Sequence, residues 1–83
     1  MNEDFNDFII VDDETGGDVT ISRNTQFNNI RANTVVIQEN ITARLFGTIK
    51  KSLVLNKGSR LILHGSILGQ VENLGGELFF YAE

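Results

Sequence analysis

The stretch LVLNKGSRLILHGSILG, residues 53–69, carries branched apolar residues, three glycines and three basic side chains, Lys57, Arg60 and His64. Read alone it fits a membrane stub, a buried helix or a set of strands. The three basic residues argue against a membrane span at this minimal length. A helix from 34 to 72 would place Gly47, Gly58, Gly65 and Gly69 in its interior, each costing about 1 kcal/mol against Ala.

A repeat decides between the remaining readings. After a shift of 18, Val35 meets Leu53 and Val71, Ile37 meets Leu55, Ala43 meets Leu61 and Phe79, and Leu45 meets Leu63 and Tyr81. Gly47 meets Gly65 and Ile49 meets Ile67, while Val19 and Ile21 meet Val35 and Ile37 after a shift of 16. Four triplets align between the apolar columns: Ser22-Arg23-Asn24, Gln38-Glu39-Asn40, Asn56-Lys57-Gly58 and Leu74-Gly75-Gly76. Each ends in Asn or Gly, the residues that best tolerate the left-handed backbone region, so each reads as the same corner. The runs between corners alternate with period two, as strands do. An antiparallel sandwich would accommodate the alternation but leaves the shared 18-residue register unexplained.

These features predict an all-β, single-domain, triangular parallel β-helix of about four coils of 16–18 residues, with a core built on Ile37, Leu55 and Ile67. Successive turns would stack about 4.8 Å apart. Handedness is not encoded in the pattern; a right-handed helix is expected because parallel crossovers usually are.

Charge divides the chain. Residues 1–18 hold seven acids and no base, whereas all seven Lys and Arg lie between Arg23 and Arg60. An acidic N-terminal segment (1–18) is therefore set apart from a basic β-helix body (19–83). The absence of cysteine excludes disulfides and thiolate metal sites. The acidic start lacks the basic region of a secretory signal, and a cytoplasmic protein, at most peripheral at the inner membrane, is expected.

The segments FGTI (46–49) and GSILGQV (65–71), with the alternating LVLNKGSRLIL between, resemble bactofilins, the bacterial polymer-forming cytoskeletal proteins. The resemblance covers residues 19–81. It implies a short right-handed β-helix that polymerises end to end without nucleotide. Some members of that family attach to membranes through an N-terminal segment, and some scaffold cell-envelope enzymes.

Candidate sites follow from the pattern. Leu78, Phe79, Phe80 and Tyr81 place four large apolar side chains beside the last strand edge and predict self-association there. With Leu61, Leu63, Phe79 and Tyr81 facing in, Val36, Val54, Ile62 and Phe80 face out, Val36 over Val54 and Ile62 over Phe80, as a lateral contact. Phe5, Phe8, Ile9 and Ile10 form a cap on the first coil or a peptide for another protein partner. Acids flanking that peptide disfavour an anionic membrane. Arg44, Lys50, Lys51 and Arg60 point outward as a possible polyanion face, but no aromatic residues interleave with them and nucleic acid is not the expected partner. His64, aligned with Phe46 and Ala82, reads as an exposed side chain; no second His, Cys or acidic triad completes a metal site or a catalytic triad. The expected function is a self-assembling structural protein without enzyme activity or cofactor, associating as a homodimer or polymer. The alternative is a small acidic-tailed binding or inhibitor protein, such as a phage or mobile-element product, using the β-helix as a platform.

Overall fold

The computed structural model describes residues 7–81. They form seven strands and no α-helix: β1 (Ile9–Val11), β2 (Thr15–Ile21), β3 (Thr25–Ile37), β4 (Thr42–Leu55), β5 (Arg60–Ile67), β6 (Gln70–Asn73) and β7 (Glu77–Tyr81). Every pairing is parallel. The chain winds as a β-solenoid of about four coils, the architecture the repeat predicts.

Each coil has three sides. The first stacks β1, the start of β3, the start of β4, the start of β5 and β7: Val11 faces Phe27, Phe27 faces Leu45, Leu45 faces Leu63 and Leu63 faces Phe80. The second stacks Gly17, Ala32, Ile49 and Ile67. The third stacks Val19, Val35, Leu53 and Val71, with Ile21, Ile37, Leu55 and Asn73 two residues on. The ladder begins at Ile9, so residues 9–18, set apart by charge, lie within the first coil.

Alternation sends one residue in two inward. Ile30, Ala32, Val35, Ile37, Ala43, Leu45, Ile49, Leu53, Leu55, Leu61 and Leu63 are fully buried in one column-built core. Ile37 and Leu55 are central to it, as expected, but Ile67 is only half-buried. It tops the column above Ile49, and no described strand covers it.

The corners keep the ladder running. Asn40 N–H donates to the Lys57 carbonyl (3.2 Å) and Gly58 N–H to that of Gly75 (3.0 Å). Asn40 and Gly58 take the predicted left-handed backbone, with φ of 62° and 75°. Asn24 does not, and in the last corner Gly75 rather than Gly76 has positive φ (121°). A different constraint acts at Gly47 and Gly65 (φ 144° and 152°). A Cβ on Gly47 would overlap the Ile30 carbonyl oxygen, and one on Gly65 that of Gly47. Backbone packs directly on backbone here, which explains the Gly-x-Ile segments physically.

Candidate association site at the C-terminal end

Between the paired residues Leu55 and Arg60 the chain places four residues; between their partners Asn73 and Glu77 it places three. Ser59 has no counterpart. It is buried, and its Oγ donates to the Asn56 carbonyl at 2.6 Å. The shorter corner is closed by Asn73, whose Oδ1 accepts from the N–H groups of Gly75 (2.9 Å) and Gly76 (2.7 Å). The final coil is thus offset by 17 rather than 18: Leu61 faces Leu78, Ile62 faces Phe79, Leu63 faces Phe80 and His64 faces Tyr81.

One residue of slip exchanges the two faces of a strand. The sequence pattern places Phe79 and Tyr81 inward; the structure corrects this, putting Leu78 and Phe80 on the core columns and Phe79 and Tyr81 outside. Phe80, not Phe79, therefore closes the Leu45–Leu63 column, and the expected Ile62–Phe80 stack is an Ile62–Phe79 stack.

The two ends of the solenoid differ. At the N-terminal end Ile21 is 3% exposed, and Val11 and Val19 are half-buried against the core. At the C-terminal end Val71, in the column of Leu53, is 45% exposed, and Phe80 is 52% exposed. Leu68 and Leu74, at the bends beside them, are exposed as well. Glu77 N–H donates to the Ser59 carbonyl at 2.9 Å. Alternation along the strand then turns the N–H and C=O groups of Leu78 and Phe80 toward the open end. An apolar core and a strand edge are presented together.

The other predicted residues are dispersed. Val36 and Val54 are half-buried and stack on the third side, with Glu72 as the next residue in their column. Ile62 is on the first side, beyond the corner at 56–58, so the three form no single patch. Arg44 and Arg60 also lie on the first side. Lys50 and Lys51 sit where two residues oppose Asn33 alone, at the bend between the second and third sides, the corner away from Arg44 and Arg60. The four bases do not make one face. Phe8 is buried, whereas Ile9 and Ile10, paired with Thr25 and Gln26, are exposed on the first strand. Phe5 lies outside the described residues.

Sequence reasoning missed an aromatic ladder on the first side. The ring of His64 stacks on Phe46 (centroids 4.5 Å apart, 7° between planes) and on Tyr81 (5.1 Å, 15°). Arg44 lies over the Phe46 ring, 5.1 Å from its centroid, and its Nε donates to His64 Nε2 at 3.3 Å. His64 is therefore half-buried rather than exposed, with Tyr81 as its neighbour in the next coil; Ala82 lies outside the described residues. The expectation that no aromatic rings interleave with the bases fails at Arg44. Beside the ladder, Arg60 Nε meets Glu77 Oε1 at 3.1 Å. Among the described residues, no helix is long and apolar enough to cross a membrane and no group of three His, Asp or Glu could hold a metal.

Comparison of the chain with family models, with curated proteins and with solved structures gave no match.

Proposed function

We propose that this protein is a structural self-assembly module, bactofilin-like in that copies join through coil ends without nucleotide. The observation that supports the reading is the open C-terminal end, where Val71 and Phe80 continue core columns yet remain 45% and 52% exposed. Stable solenoids cover such ends with polar caps; a second copy would serve instead. Charge favours pairing like end with like end. The first coil carries Asp12, Asp13, Glu14 and Asp18, all exposed, with exposed Asp7 just before it. In a head-to-tail contact these acids would approach Glu72 and Glu77, whereas a C-terminus to C-terminus contact leaves the acidic first coil out of the seam. The expected unit is a two-fold dimer, with extension to filaments requiring the acidic first coil to be engaged too.

Electron microscopy of the purified chain at increasing concentration tests this. Discrete paired particles or filaments are the expected result. Monomers at every concentration would remove the reading and leave the platform alternative.

A further inference from the structure

Three bases stand at or beside the bend between the second and third sides. Ile30 and Ala32 are buried, so Arg31 between them points out from the second side. Lys50 and Lys51 follow one coil up, where both oppose Asn33. All three are exposed, and among the described residues none of them is paired with an acid. Directly above, the Leu68 N–H donates to the Ile49 carbonyl at 2.9 Å, and Gly69 packs so closely on Lys51 that a Cβ would overlap its carbonyl oxygen. Leu68 is thereby held out beside the bases, 70% exposed. An apolar centre with a charged rim is the ordinary arrangement of a protein interface.

The chain itself carries the complement. Residues 7–22 hold Asp7, Asp12, Asp13, Glu14 and Asp18 and no base. Asp7, Asp12 and Asp13 flank Ile9 and Ile10, which are both exposed. The first coil therefore presents an apolar centre with an acidic rim. The two surfaces cannot meet within one molecule. Asp18 is in register with Thr34 and then Ser52, two coils below the lysine bend, and one ladder of strands holds both in place. They can meet only between copies.

We propose that the corner formed by Arg31, Lys50, Lys51 and Leu68 is a docking surface for the acidic first coil of a second copy. The contact is heterologous, and it engages the coil that end-to-end pairing leaves out. The contact stands without that pairing; growth of paired units into filaments rests on both. The net charge of −4 opposes the approach of copies, so the contact depends on where the charges lie rather than on their sum. Exposed pairs are screened by salt. The contact should form at about 10 mM salt, where charges are felt over about 30 Å, and fade at about 0.15 M, where they are felt over about 8 Å. Apolar end joining is read at the higher salt.

Sedimentation at low salt and high micromolar concentration tests it in full-length chains that also carry Phe80→Arg, so that end joining is absent. Lys50→Glu with Lys51→Glu should weaken association by about tenfold. Arg23→Glu with Lys57→Glu makes the same change of net charge at another corner and should leave association close to the parent's. An equal loss in both would overturn the proposal, since general repulsion would then explain it. Asp13→Lys with Glu14→Lys should also fail alone, yet associate when mixed with the Lys50→Glu, Lys51→Glu chain; a mixture that stays monomeric would overturn the proposal. On the unaltered chain, carbodiimide coupling of isotope-labelled with unlabelled protein should join Lys50 or Lys51 to first-coil acids between copies. Links confined to single molecules would overturn it. So would heparin held by the Lys50–Lys51 corner with no association of copies at low salt, which would assign the corner to a polyanion.

Discussion

At the scale of single residues, two kinds of position hold this fold. Leu55 is fully buried, stacked on Ile37 below and Asn73 above. Truncation leaves a cavity in a column that two strand ladders keep from collapsing. Leu55→Ala should cost about 2–5 kcal/mol, read from urea unfolding followed by β-sheet circular dichroism. Gly65 is the second kind. Its φ of 152° and the Gly47 carbonyl beneath it leave no room for a Cβ. Gly65→Ala should cost roughly 1–3 kcal/mol from backbone strain alone, with the overlap adding to that. A Gly65→Ala chain as stable as the parent would show that these backbones do not pack directly on each other. The inward role of Leu55 was legible because alternation and the shift of 18 both mark it. The close approach at Gly65 was not, since a glycine beside a strand reads equally as a corner.

At the scale of the element, the last strand carries the lesson about what the sequence can decide. In β3 to β5 the apolar residues favour one parity of each run, so a single register buries them. In Leu78-Phe79-Phe80-Tyr81 both parities are apolar, and hydrophobic pattern alone cannot choose between offsets of 17 and 18. The choice lies in the corner before it, where Asn73 folds back onto Gly75 and Gly76 and shortens the loop by the residue that Ser59 occupies in the coil below. The aromatic ladder went unseen for the same reason: Phe46 and His64 align at 18, but Tyr81 joins them only at 17. Asn73→Ala removes the acceptor of two hydrogen bonds at an exposed corner and should cost about 1 kcal/mol. It should also speed amide hydrogen exchange selectively over residues 77–81. Unchanged exchange there would mean that the asparagine does not set the register of β7.

At the scale of the whole molecule, the two ends of the solenoid differ in how far their core columns are covered. The column rule that buries Leu53 and Leu63 also brings Val71 and Phe80 to the surface, beside a strand edge with no ladder partner above it among the described residues. Exposed edges and uncovered core recruit other chains. Copies of the protein are proposed to join at this end. Sedimentation velocity of the parent beside Phe80→Arg measures it most directly, because Phe80 lies on the core column yet is open enough for an arginine to reach solvent. The parent should be at least dimeric at micromolar concentration, and the Phe80→Arg chain monomeric with its β-sheet spectrum intact. A parent monomeric at high micromolar concentration, or a Phe80→Arg chain that associates as the parent does, would contradict it.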